Sequence, residues 1–320
     1  MLPGCASGSQ EAVPAGSIWP TTLTIYHADP KLALVAGARS RIDRDVAAGI
    51  LKEAGVTGSD FLKDAMRIGR WIEFNFAGAE ENMSREEFNM VGKETAQTLI
   101  QSRKLRSCLD WAILKSALLR SAGYPTLIAE GVDVQWMLDV RDGHGGVGIF
   151  GHVLVEVYTG GRWVLLDSTS SQYIPDYDPV NPLITKREGD GNLCVMGKGR
   201  DPHDYDLGTT WDQISYMRRF AKSVDPAQFY APRYKYLDLP GAEAPLPDLS
   251  DAALARSQPN HPGVVVQIRA AGLDIHVEKA EGRYLVHLYR YGRVFQGEPI
   301  NTLSFSSRTE LKRYLWSLQP

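Results

Sequence analysis

Cysteine is scarce in this chain: Cys5, Cys108 and Cys194 are the only three in 320 residues. Their odd number and wide spacing, with no Cys-x-x-Cys pair and no clustered histidines, exclude a disulfide framework and a cysteine zinc site. An excess of one charge is missing as well. Lys and Arg total 35 against 38 Asp and Glu, a formal net charge of -3. Such a balance gives no strong field to hold nucleic acid or an anionic membrane. No run reaches the roughly 18 apolar residues of a spanning helix. What remains is 43% hydrophobic and 23% charged, the composition of an ordinary globular protein with material for a real core. The expected partner is a small or peptide-like substrate.

Motifs for cofactors and metals are equally sparse. Gly197-Lys198-Gly199-Arg200-Asp201-Pro202-His203-Asp204-Tyr205 lacks the Gly-Lys-Ser/Thr ending of a phosphate loop and reads as a structural loop. Asp142, His144 and His152 lack a fourth ligand. Asp176, Asp178 and Asn181 lack the glycine and terminal glutamate of a calcium loop and read as turn residues. The expectation is therefore no cofactor and no metal.

Length predicts about two domains. Residues 1–30, rich in Gly, Ser, Ala and Pro, read as a tail. Within it Leu2-Pro3-Gly4-Cys5-Ala6-Ser7 resembles the end of a bacterial lipoprotein signal, although the basic start and apolar stretch of a signal peptide are missing. That resemblance implies a cell-envelope or periplasmic lipoprotein; without it the expectation is a cytoplasmic protein. Residues 31–236 are expected to form the main domain, 237–262 a Pro-rich linker, and 263–320 a small C-terminal α+β module.

In the main domain the spacing predicts helices near 44–54, 59–77 and 85–103, and another from Cys108 to Ala122 that closes at Gly123 with Pro125 beyond. This last helix is apolar almost all round and so expected to be buried. The period then changes to that of strands over 126–136, 152–158 and 162–167, with a glycine-rich loop at 142–148 before the second. In the C-terminal module strands are expected at 264–268, 273–278, 284–289 and 294–296, and a helix over 308–318.

Chemistry concentrates in Cys108, His152 and Asp167. A thiolate is the nucleophile, and a helix N-terminus and a neighbouring imidazolium both lower a thiol's pKa from about 8.5. Cys108 opens the predicted helix, and a two-residue turn at Gly160-Gly161 brings the other two together. It pairs Tyr158 with Trp163, Leu154 with Asp167 and His152 with Thr169. His152 and Asp167 are then diagonal neighbours on one face, roughly 7 to 8 Å apart or somewhat less between Cβ atoms. The opposite face carries Val153, Val155, Val157, Val164 and Leu166, a core surface. Such a trio suits acyl transfer: nucleophile, base and the acid that orients the base. The backbone N–H of Cys108 is a natural oxyanion donor, and Gln97, Gln101 and Trp71 are side-chain candidates for a second.

These segments carry a resemblance. Ser107-Cys108-Leu109-Asp110-Trp111-Ala112, Leu118-Leu119-Arg120-Ser121-Ala122-Gly123-Tyr124-Pro125, Gly151-His152-Val153-Leu154-Val155-Glu156-Val157-Tyr158 and Arg162-Trp163-Val164-Leu165-Leu166-Asp167 resemble the transglutaminase-like superfamily of papain-fold enzymes over roughly residues 60 to 210. The resemblance implies an α+β, papain-like core in which the cysteine helix packs against an antiparallel sheet bearing His152 and Asp167. It implies an enzyme, a cysteine peptidase or amidase rather than a cross-linking transglutaminase, acting on a peptide or protein through a thioester at Cys108. Ser107 stands where many members have a glycine-containing pair. That departure and the C-terminal module motivate the other reading, a catalytically silent papain-fold binding module of an envelope or scaffold protein.

Overall fold

A computed structural model describes residues 24–76, 84–144, 151–186, 191–202, 210–240, 257–258, 261–268, 273–290, 294 and 298–318. Cys5 and most of the glycine-rich loop lie outside the described residues. The helices in chain order are α1 (Ile25–Ala28), α2 (Arg44–Ala54), α3 (Phe61–Asn75), α4 (Arg85–Met90), α5 (Ala96–Ser102), α6 (Cys108–Ser121), α7 (Val134–Arg141), α8 (Thr210–Ser223) and α9 (Arg308–Ser317). The strands are β1 (Thr126–Asp133), β2 (Gly151–Thr159), β3 (Arg162–Asp167), β4 (Gln172–Ile174), β5 (Leu183–Thr185), β6 (Asn192–Gly199), β7 (Leu237–Asp238), β8 (Ser257–Gln258), β9 (His261–Pro262), β10 (Val264–Ile268), β11 (Leu273–Ala280), β12 (Arg283–Arg290) and β13 (Asn301–Phe305). No helix among the described residues is long and apolar enough to cross a membrane.

Two compact units result, Met1–Gly49 with Ala79–Leu237, and Ile50–Gly78 with Asp238–Pro320. The stretch 50–78, expected with the main domain, groups with the C-terminal part. In the first unit the sheet order is β5-β6-β1-β2-β3-β4-β7, antiparallel at β5-β6, β6-β1, β1-β2, β2-β3 and β3-β4. Its centre, β1 and β2, packs against α6. The all-round apolar character of α6 has the expected outcome: from Leu109 to Arg120 every residue except Trp111 is buried. Its charged members have partners outside the helix. Arg120 donates to the carbonyls of Ala33 at 3.1 Å, Thr126 at 2.6 Å and Arg200 at 2.8 Å, so one buried guanidinium ties three segments to the end of the helix.

The β2-β3 turn forms as the glycines require. Gly160 and Gly161 have φ of 56° and 80°, the left-handed pair of a type I′ turn. Tyr158 therefore faces Trp163 and Leu154 faces Asp167. Val153, Val155, Val157, Val164 and Leu166 are buried on one side, while Leu154, Trp163 and Leu165 join Leu127, Ala129 and Ile174 in a second apolar layer. β3 ends at Asp167, so the expected pairing of His152 with Thr169 is not part of the ladder.

Beside that layer sits a buried ionic cluster. Glu156 on β2 accepts from Tyr177 Oη at 2.6 Å, contacts His27 Nε2 at 2.8 Å and pairs with Lys198 of β6. Burial alone would push the Glu156 carboxyl up, but Lys198 and His27 outweigh it and hold it below its usual range. His27 belongs to α1, so the last part of the expected tail is a capped helical turn fastened to the sheet.

Several boundaries differ from expectation for local reasons. The strand expected over 126–136 stops at Asp133, whose side chain accepts from Trp136 N at 3.1 Å and starts α7. The helix expected over 85–103 is two, α4 and α5, separated by a turn in which Gly92 has φ of 66° and Thr95 caps the second. The loop expected at 197–205 begins as the end of β6. In the second unit β10, β11, β12 and β13 form an antiparallel sheet with α9 against β13. Its fourth strand lies at 301–305; Val294 of the expected 294–296 strand is in a turn, and 295 and 296 are outside the described residues.

Candidate active site

Cys108 is the first residue of α6, half-buried at the positive end of the helix dipole. Ser107 holds the N-cap in extended backbone, and its Oγ accepts from Leu109 N at 3.2 Å. Asp110, fully buried in the same turn, reaches backward and accepts from Gly92 N and Arg106 N, each at 2.9 Å. Its carboxyl is pushed above the usual range by burial, against the pull of those two amides. The role of Asp110 is thus to fasten the chain that leads into the helix, which fixes where Sγ emerges. The Cys108 amide belongs to the first-turn N–H groups that a helix cannot satisfy itself.

His152 enters from the second residue of β2 and Asp167 from the last of β3. The diagonal relation closes as expected: His152 Nε2 lies 3.0 Å from Asp167 Oδ2. Nδ1 is then the ring nitrogen left for the thiol, and Cys108 is near enough to favour the charged form of the ring. Burial works against the charged imidazole, but the bond to Asp167 and the neighbouring Cys108 together raise its pKa to about 10. Burial likewise opposes the Asp167 carboxylate, yet the His152 bond and charge, the Thr169 amide and Lys115 hold it well below the usual range. An imidazolium paired with a carboxylate is the favoured form at neutral pH.

Asp167 is itself held on every side. Its Oδ1 accepts from Thr169 N at 2.8 Å, Thr169 Oγ1 at 3.0 Å and Ser170 N at 2.9 Å, leaving Oδ2 for the histidine. Its carbonyl accepts from Lys115 Nζ at 2.9 Å. Lys115 is buried two turns beyond Cys108 on the same face of α6. The cysteine helix is thereby bolted to the strand that carries the acid. Ser170 and Lys115 escaped the sequence reading, and Thr169 was expected only as the cross-strand partner of His152. Lys115 did leave a signal: it is the one charged residue between Asp110 and Arg120 in an otherwise apolar helix.

The other sequence candidates have local surroundings of their own. Gln97 Oε1 accepts from Asp43 N at 3.1 Å, Gln101 is exposed near the end of α5, and Trp71 is a buried residue of α3 packed edge-on to Phe76. Asp142 and His144 are exposed. Asp178 and Asn181 accept from Val180 N and Leu183 N, each at 2.9 Å, as turn residues.

Residues 54–168 match the Transglutaminase-like superfamily, a stretch that takes in Cys108, His152 and Asp167. The chain carries a transglutaminase-like domain. Its mixed helices and antiparallel sheet fit the transglutaminase-like, papain-like α+β architecture. Among solved structures, a protein of Cytophaga hutchinsonii provisionally described as a cysteine protease is 21% identical, with a TM-score of 0.36 over 54% of this chain and 47% of that one. A TGase is 11% identical, with a TM-score of 0.29 over 39% of this chain and 31% of that one. The chain thus spans less than half the length of either. No curated protein sequence matches it.

Proposed function

We propose that the transglutaminase-like domain hydrolyses amide bonds, peptide or isopeptide, through a thioester on Cys108. The observation that carries this reading is the 3.0 Å bond between His152 Nε2 and Asp167 Oδ2, with Cys108 at a helix start near enough to help raise the pKa of the same imidazole. Cys108 Sγ attacks the carbonyl carbon, and the oxyanion draws on the Cys108 N–H. His152 gives its proton to the leaving nitrogen as the C–N bond breaks, which frees an amine and leaves the acyl group on sulfur. The now neutral imidazole takes a proton from water. The resulting hydroxide equivalent attacks the thioester and the C–S bond breaks, releasing a carboxylic acid that loses its proton to solvent, the thiolate and a protonated His152. Asp167 keeps the ring aimed throughout and does not exchange the proton.

Alkylation of Cys108 by iodoacetamide across pH tests the first requirement. Rapid labelling at neutral pH, lost in His152→Ala, is the expected result; unchanged labelling in that variant would sink the enzyme reading and leave a silent binding module. A peptide library incubated with and without free amines, with Cys108→Ala as control, then separates hydrolysis from transamidation. New carboxyl ends without amine adducts are expected.

A further inference from the structure

We infer that the second unit carries a divalent transition-metal site made by His276, Glu278 and His287. The register brings the three together. His276 and Glu278 alternate on one side of β11, and His287 on β12 directly faces His276. One ligand atom from each lies within 4.8 Å of the other two. Ligands bound at about 2.0 to 2.2 Å around one ion stand roughly 3 to 3.5 Å apart, so small side-chain rotations close the set. Nε2 of His287 is already 3.2 Å from Glu278 Oε1, a spacing that suits two ligands of one ion.

The surroundings fit ligation better than packing. The other side of the same hairpin holds Ile275, Val277, Val286 and Leu288, which form the apolar core with Leu311 and Leu315 of α9. On the side of interest Val265, His276, His287 and Thr302 make one row across β10 to β13. His276 is buried, with its ring stacked on His287 at 5.6 Å. Thr302 Oγ1 lies 3.0 Å from His287 Nδ1. An Nδ1–H donated to that hydroxyl presents the Nε2 lone pair toward Glu278, the outer-shell arrangement typical of metal-bound histidines. Two imidazoles and one carboxylate select a cation of intermediate hardness such as Zn²⁺ and leave at least one position for water.

The expectation of no metal rested on histidines that look scattered in sequence. His276 and His287 meet because Glu281 and Gly282, with φ of 48° and 75°, turn the hairpin.

The test uses the tag-free full chain carrying Cys5→Ser and Cys108→Ala, which leaves only the buried Cys194 thiol. Metal-stripped protein is titrated with ZnCl₂ by calorimetry, and its melting temperature is followed with added ZnCl₂. One equivalent bound and a melting temperature that climbs with zinc concentration are expected. His287→Gln and Glu278→Gln each weaken binding about tenfold or more, and the exposed Thr302→Val does so by roughly 10- to 100-fold without altering the circular dichroism of the apoprotein. Absence of zinc-dependent heat and stabilisation would overturn the proposal, as would one-to-one binding of undiminished affinity in His287→Gln.

Discussion

Two hairpins in this protein use the same geometry and surround it differently. In β2-β3 and in β11-β12 a two-residue turn with left-handed backbone sets the register, and a histidine on one strand meets a carboxylate diagonally across the ladder. The separations are 3.0 Å for His152 and Asp167 and 3.2 Å for His287 and Glu278. A diagonal His-carboxylate contact is therefore a generic product of hairpin register, and chemistry is decided by the third group. For His152 that group is a thiol at a helix start; for His287 it is a second imidazole. The first pair is also over-determined, since Asp167 takes three further bonds on Oδ1 and a lysine on its carbonyl. Glu278 sits more openly beside its histidine.

Exchange of each carboxylate for its amide is the strongest way to break the comparison. Asp167→Asn is expected to lower amide turnover by roughly 10²- to 10⁴-fold, mostly in kcat, by losing control of the imidazole. Glu278→Gln is expected to leave turnover untouched while weakening zinc, and steady-state kinetics beside calorimetry read both. A loss of turnover in Glu278→Gln would show that the two hairpins do not act separately.

Next in size is stability. Glu156 lies on the His152 strand, and removing it strands Lys198 in a buried site; Glu156→Ala is expected to cost about 3 to 5 kcal/mol in urea unfolding. An effect below roughly 1 kcal/mol would mean that the cluster does not fasten this hairpin. Lys115→Met keeps the bulk of the side chain but removes its charged donor, at an expected cost of about 1.5 to 3 kcal/mol. Turnover should fall in kcat more than KM, because the helix and the acid lose their common anchor. If kcat holds, Lys115 is merely structural.

The smallest effect is in pH. The raised pKa of His152 means that its contribution to stability is fully present below the unfolded value near 6.5 and is lost as pH rises toward about 10. The lowered Asp167 contributes above its ordinary value near 4 and loses that as pH falls further. The stability difference between the wild type and His152→Ala should hence be greatest between about pH 4 and 6.5 and shrink on both sides. A difference that grows from pH 7 to 9 would contradict the imidazolium-carboxylate pair.

Much of the first hairpin was legible because its determinants are local. Gly160-Gly161 dictates the turn, the turn dictates the pairs, and alternation does the rest. The start of α6 was legible from the apolar run that Cys108 opens, while its cap, Ser107, emerged only in the structure. Features set by distant partners were not. The end of β6, 197–199, read as part of a loop, whereas Lys198 is buried by its pairing with Glu156, a residue that no spacing rule connects to it. The break between α4 and α5 and the start of α7 did have local signals, in Gly92, Thr95 and Asp133, which the apolar pattern around them obscured. His276, Glu278 and His287 were accessible to the hairpin arithmetic that found His152 and Asp167, but without a cysteine beside them nothing drew the eye.

The lysine bolt on α6 makes the helix a ruler. With a rise of 1.5 Å per residue, the seven residues from Cys108 to Lys115 fix about 10.5 Å along the axis between the backbone that carries the sulfur and the backbone that carries the anchor. That length is set by covalent geometry and cannot drift with the loops that border the thiol. Changes in those loops can alter what reaches the sulfur while the reach from sulfur to imidazole stays constant, so substrate range is free to diverge without retuning the reacting groups.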